Sequence, residues 1–391
     1  LNRRSIVQAA AAFGAVALFS GLARPQPVTD FSEQARRRLM PGDAAERERA
    51  LGERQRLLDE GETQLRAGRA GAALAAFERA ALLLHAPDTE LGIVRAHMAG
   101  GDYRLALAFG AHTAGAHRRD MPSAAALYAW LLHLGGQTQQ AARALDLSLA
   151  DAPQDPLLLL AQGQLRTPWP RAVPALLAPP LRIAPYAADL PMGSRVSGTA
   201  TLGAEGRVAF VPLASIEGAS SIWLRNGLGQ TRAARLLERL EPLGLGQLEL
   251  DAALDLPADM RSAGREPFAG SPGGLLEYAS APDAQPAWPI LRLGFFATQR
   301  ANQTLRDLGI DSPAGARGGP VLDRAGRLAG VALRDAQGGD RMVPVQALAA
   351  AGVPTAEAPP PGASALMAAD EMFERGLRLA LQVLVLRSDG R

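Results

Sequence analysis

The stretch that decides the fold is "GARGGPVLDRAGRLAGVAL", Gly315 to Leu333. Its right half reads as a strand, a tight turn at Asp323–Gly326 and a second strand. Its left half carries more glycine than a plain hairpin needs. Gly315, Gly318, Gly319 and Pro320 form a frame around Arg317, with the glycines free in backbone and the proline fixed.

The rest of the composition narrows the chemistry that such a frame can perform. The chain has 391 residues, 48% of them apolar and 20% charged, which suits a globular protein of two or three domains. The net charge of +2 gives no reason to expect a nucleic-acid partner. There is no cysteine, hence no disulfide, thiol nucleophile, thiolate metal site or lipoprotein anchor. All the basic residues other than histidine are arginines, so Schiff-base and Ser–Lys chemistry are excluded. Histidine occurs at 85, 97, 112, 117 and 133, and nowhere later.

"LNRRSIVQAAAAFGAVALFSGLARPQP" opens with Arg3 and Arg4 and continues as an apolar run to about Ala23. This is the pattern of an export signal, with a loose twin-arginine character, or of an uncleaved anchor over 1–23. Either places the remainder in the periplasm or cell envelope, with membrane contact only through this segment.

Internal similarity follows. "LRAGRAGAALAAFERAA" (65–81), "MAGGDYRLALAFGAHTA" (98–114) and "HLGGQTQQAARALDLSL" (133–149) stack at offsets of 33 and 35 residues. Gly68, Gly101 and Gly136 align, as do Ala73, Ala106 and Ala141. The period suits helix–turn–helix repeats, and residues 45–165 resemble the tetratricopeptide family, a generic helical bundle being the alternative. The resemblance implies an α-solenoid whose groove holds a protein or peptide partner. The five histidines lack the i, i+4 spacing of a helical metal pair and have no carboxylate cluster beside them in sequence. They read as ordinary surface or packed residues, and no metal or cofactor is expected.

Residues 166–192 are rich in proline, "TPWPRAVPALLAPPLRIAPYAADLP", and read as an extended linker. From 193 to 352, short apolar runs alternate with Gly-containing turns, the mark of an antiparallel barrel or pair of barrels. "GTATLGAEGRVAFVPLASIEGASSIWLRNGLGQ", "EPLGLGQLEL" and the opening stretch together resemble the trypsin-like serine proteases, particularly their HtrA-type bacterial branch. The resemblance implies an antiparallel double β-barrel, making the whole chain a multidomain α + β protein. It also places the family's serine at Arg317, its histidine at Ala214 (Ser215 in a register one residue later) and its aspartate near Gly244. None of these residues can do the corresponding work, and the domain has no histidine to act as base. Gly315, Arg317 and Gly318 would then be a remnant of the oxyanion loop, with Arg317 either adding positive charge there or pairing with a nearby acid.

Residues 353–363 read as a second linker and 364–391 as a C-terminal helix, with Leu366, Phe373, Leu377, Leu381 and Leu384 near one stripe. The expectation is an exported pseudo-protease that binds or scaffolds proteins. The alternatives are a serine-type endopeptidase with an unrecognised site and an assembly subunit.

Overall fold

Gly68, Gly101 and Gly136 end three helices in the same way, each with a positive φ of 69°, 81° and 83°. In this computed structural model, which describes residues 42–167, 170–279, 283–298, 304–310, 317–335, 337–353 and 366–387, those helices are α1 (Ala44–Arg66), α3 (Pro87–Gly100) and α5 (Ala124–Leu134). Each glycine N–H bonds the carbonyl three residues back, and the next N–H bonds the carbonyl five back: Arg69 to Gln64, Asp102 to His97 and Gln137 to Leu132. These are the paired bonds of a left-handed helix C-cap, and glycine reaches the required backbone conformation without a Cβ penalty. The partner helices α2 (Ala70–Leu83), α4 (Tyr103–Ala116) and α6 (Thr138–Asp151) follow at once, and α7 (Pro156–Leu165) closes the array. The aligned Ala73, Ala106 and Ala141 are all buried, since larger side chains there would force the helices of each pair apart. The export-signal reading of residues 1–23 and the linker at 354–363 fall outside the described residues.

The β half contains two closed six-stranded antiparallel rings. The first is built from β1 (Arg195–Leu202), β2 (Val208–Pro212), β3 (Ala219–Asn226), β4 (Thr231–Leu240), β5 (Leu245–Leu250) and β12 (Ala380–Arg387). The second uses β6 (Pro272–Glu277), β7 (Ile290–Phe296), β8 (Arg306–Gly309), β9 (Pro320–Asp323), β10 (Leu328–Arg334) and β11 (Asp340–Pro344). Closure leaves no unpaired edge in either ring. The second ring runs β6-β7-β8-β11-β10-β9, and the first runs β12-β1-β2-β5-β4-β3. The two orders are identical once β12 takes the place of first strand. One Greek-key ring therefore occurs twice, but the first strand of its first copy comes from the far end of the chain.

This corrects the reading of 364–391 as a helix. Only Ala369–Leu379 is helical (α10 below), and Ala380–Arg387 is a strand between β1 and β3. Its residues 380–385 are buried on both faces: Leu381, Val383 and Val385 enter the interior of the first barrel, while Gln382 bonds the Gln285 carbonyl on the outside. A strand covered on both sides is apolar at nearly every position, so "LALQVLVL" has no alternation to separate it from the end of a buried helix. Leu366, assigned to the helical stripe, is exposed and precedes the helix. The two short helices α8 (Leu213–Ile216) and α9 (Val345–Ala350) follow β2 and β11, and α10 (Ala369–Leu379) leads directly into β12.

The helical array and the barrels share one core. It joins Leu91, Val94 and Met98 of α3 and Leu127 and Trp130 of α5 with Phe373 and Leu377 of α10 and Leu276 and Trp288 of the second barrel. Phe373 meets the ring of Tyr103 edge-on at 4.5 Å, Arg104 pairs with Glu371 (2.8 Å) and Glu374 (3.2 Å), and Arg378 caps α3 at the Gly100 carbonyl (2.8 Å). The proline-rich linker is drawn into this core rather than draped outside it, with Leu176, Leu181 and Ile183 all buried. Ten successive residues of α3, from Thr89 to Met98, are buried. A helix covered all round sits inside a domain, so the inner face of the array is filled by the protein's own linker and C-terminal helix.

Candidate functional site

The three segments carrying Ala214, Gly244 and Arg317 meet at the seam between the barrels. Ala214 lies in α8, one turn long, whose Leu213 N–H donates to the Gly244 carbonyl at 3.1 Å. Gly244 follows a short turn and has φ 66°, which lets the chain reverse into β5. Gly318, beside Arg317, has φ 129° and packs so tightly that a Cβ there would overlap the Thr199 carbonyl and the Pro212 ring. Pro212 directly precedes α8, so the loop before β9 lies against the start of that helix. Gly315 is outside the described residues. Ser215, the alternative position for a histidine, is buried in α8 and its Oγ has no hydrogen-bond partner among the described residues.

Arg317 is 1% exposed. Its guanidinium donates from Nε (3.1 Å) and Nη2 (2.6 Å) to Asp340 Oδ1 on β11, and Arg334 of β10 donates to the same oxygen at 3.1 Å. The side chain is thus committed to an ion pair within the second barrel, and Asp340 supplies a counter-charge to a buried guanidinium. Of the two roles open to Arg317, pairing with an acid is the one it performs in this geometry.

The loop backbone is equally occupied. Thr201 Oγ1 donates to the Gly318 carbonyl at 2.8 Å, and the Gly319 N–H donates to Glu277 Oε1 at 3.1 Å. Tyr278 N–H donates to Thr199 Oγ1 at 2.8 Å, so β1 of the first barrel is stitched to β6 and β9 of the second. Glu277 is fully buried, and its Oε2 has no hydrogen-bond partner among the described residues. Burial pushes its carboxyl up to about 7, against the opposing pull of Thr199, Arg317 and the Gly319 amide. Glu277 and Asp340 escaped sequence reasoning. Glu277 closes β6, which "SPGGLLEYAS" hides behind two glycines, and Asp340 sits in "GGDRMV" at a strand start that reads as turn.

Taken together, two rings of one order meet at a tightly stitched seam. The β half is a trypsin-like double barrel. No protein family matches the sequence, and no curated protein matches it. Among solved structures, the chain is similar to the serine endoprotease from Yersinia pestis (16% identity, TM-score 0.32, 41% of this chain and 60% of that one). It is also similar to the MamO protease domain from Magnetospirillum magneticum, apo form (14% identity, TM-score 0.30, 41% of this chain and 98% of that one). The chain thus spans 60% of the length of the Yersinia protein that it matches. The closed rings, rather than these distant likenesses, establish the architecture.

The histidines expected to be ordinary are not scattered. His85, His112 and His117 all face Glu90 of α3, with Nε2 to Oε1 distances of 2.5, 3.5 and 3.2 Å. This corrects the sequence reading, which looked for ligand spacing along one helix. The cluster is assembled from the α2–α3 connection, α3 and the end of α4, with Glu90 five residues beyond His85. Glu90 is buried, and hydrogen bonds from His117 and His85 hold its carboxyl far below the usual range despite that burial. The same contact raises His85. His133 differs: it is buried with neither ring nitrogen bonded among the described residues, and burial with Arg292 nearby lowers it to about 4.

Proposed function

We propose that this protein is a non-catalytic member of the trypsin-like fold, exported to the cell envelope, where it binds or scaffolds other proteins. The observation that carries this reading is the buried Arg317, paired with Asp340, at the position resembling the family's nucleophile. Serine-type cleavage needs a nucleophile, a base within hydrogen-bond reach and free donors for the oxyanion. At this seam the nucleophile position holds a paired cation, the positions resembling the base and its orienter are Ala214 and Gly244, and the last histidine of the chain is His133. The loop's own polar groups serve to join the two barrels, as the Thr201–Gly318 and Gly319–Glu277 bonds do.

Export rests on the basic-then-apolar pattern of the first residues. No helix among the described residues is long and apolar enough to cross a membrane. The barrels act as the platform in this reading, and partner binding falls to the outer surface of the helical array, because the linker and α10 fill its inner face.

The test is affinity capture with the full chain from envelope extract, followed by reconstitution with the purified candidate. A stoichiometric partner whose binding survives Arg317→Met but is lost on substitutions along the outer helices supports the reading. A protein that binds nothing and cleaves a denatured substrate overturns it.

A further inference from the structure

Glu90 poses a problem that hydrogen bonding alone does not solve. Its side chain is 1% exposed, so its charge needs close partners. Three imidazole nitrogens converge on one oxygen, Oε1, while Oε2 has no hydrogen-bond partner among the described residues. An oxygen crowded by three imidazole nitrogens is poorly served by three separate N–H donors. A cation placed beside it would take lone pairs from two of the ring nitrogens and from the carboxylate at once, leaving the third ring to donate an N–H.

The spacing fits such a cation. Donor atoms of His85, Glu90 and His112 all lie within 4.8 Å of one another. In a tetrahedral zinc shell, with metal–donor distances of about 2.1 Å, neighbouring donors stand roughly 3.3 Å apart. His112 and His117 already stand at about this distance from Oε1, and His85, the most exposed of the three, has room to withdraw into it. The His85 and His112 rings are stacked at 6.0 Å with 24° between their planes, so the two nitrogens present themselves side by side. His117 holds the carboxylate from its inner side, and its other nitrogen lies 4.0 Å from Asp120 Oδ2. A ligand carboxylate fixed by a second group is the usual support of a metal site.

We propose that His85, Glu90 and His112 bind a divalent transition-metal ion, with His117 positioning Glu90. The donor set of imidazole and carboxylate suits zinc and its first-row neighbours rather than calcium or magnesium. Three protein ligands leave a position for water on the exposed side, where His85 and His112 face solvent. The ion would clip the α2–α3 connection to the end of α4, binding two helical pairs together.

The experiment uses untagged full-length protein, stripped with chelator, titrated with zinc sulfate by calorimetry and with cobalt(II) by visible absorption. Zinc should saturate at one equivalent per chain, and cobalt should give the intense bands of a four-coordinate centre. The double variant His85→Asn/His112→Asn removes partly exposed side chains and should lose binding at least 100-fold while keeping native helicity. His117→Asn should weaken binding by about 10-fold and keep the cobalt spectrum, as expected of a group that orients a ligand. His97→Asn and His133→Asn should change neither. Absence of binding by the wild type at 100 µM metal, or binding that persists in the double variant, would overturn the proposal. Where Glu90→Gln fails to fold, the double variant decides.

Discussion

The two barrels share a strand order but are closed differently. The second is made from one continuous stretch, β6 to β11, and its interior and seam carry charge: Glu277, Arg306, Arg317 and Asp323 are all buried. The first is centred on an apolar cluster, with Arg225 of β3 buried beside it, and is completed only when β12 returns from the C-terminus. The difference teaches that ring order, not chain order, is what the fold requires, and that the first barrel depends on a segment more than a hundred residues away in sequence from its nearest partner strand. That return also explains why the helical array is fused to the barrels. The helix leading into β12 must cross the array, and Phe373 and Leu377 are buried there.

The sharpest way to break this comparison is to end the chain after Leu379. Loss of β12 opens the first barrel along both β1 and β3 and exposes Leu381, Val383 and Val385 partners, each worth about 1.5–3 kcal/mol of burial. The truncated chain should show no cooperative unfolding transition by circular dichroism and should expose apolar surface to a hydrophobic dye.

The next effect falls on the second barrel. Arg317→Ser restores the residue type that the resemblance places in the loop, yet leaves Asp340 without its closest partner and empties a buried site. Asp340 is partly exposed and keeps Arg334, so the cost comes from the cavity and the lost charged hydrogen bonds, about 3 kcal/mol. Denaturant unfolding should report that loss, and hydrolysis of a denatured substrate should remain at background.

Glu277 supplies a pH-dependent difference between the barrels. Its folded value of about 7 lies above the usual 4.5, so the folded state holds the proton more tightly than the unfolded one. The contribution is favourable at low pH and is lost as pH rises from about 4.5 to 7, by about 3 kcal/mol at one pH unit per 1.36 kcal/mol. Glu277→Gln keeps an acceptor for Gly319 and should flatten stability over this window relative to wild type. His133 works in the opposite sense and more weakly near neutrality. Held at about 4 against 6.5, it stays neutral when folded and costs stability as pH falls below 6.5. His133→Leu should gain about 2 kcal/mol over wild type on moving from pH 7 to pH 5.

What was legible in the sequence follows the same division. The hairpin β9–β10 and the left-handed glycines at 68, 101 and 136 announce themselves because turn chemistry and strict spacing are local. The meeting of Ala214, Gly244 and Arg317 segments was readable only through resemblance. β12 was lost because a strand buried on both faces has no alternation, and β6 because Gly273 and Gly274 look like a turn where close packing against Phe296 and Met372 leaves no room for a side chain. The Glu90 cluster was invisible for a different reason. Its residues come from the α2–α3 connection and from two different helices, and only the stacking of helical pairs brings them together.

The central claim is that the seam performs no serine-type catalysis. Intact-mass measurement of the full-length native protein after incubation with a serine-directed phosphonate tests it most directly. The account predicts an unchanged mass and no cleavage of a denatured protein substrate. A stoichiometric adduct that disappears on prior heat denaturation and maps to a serine at the barrel seam, such as Ser215, would contradict it.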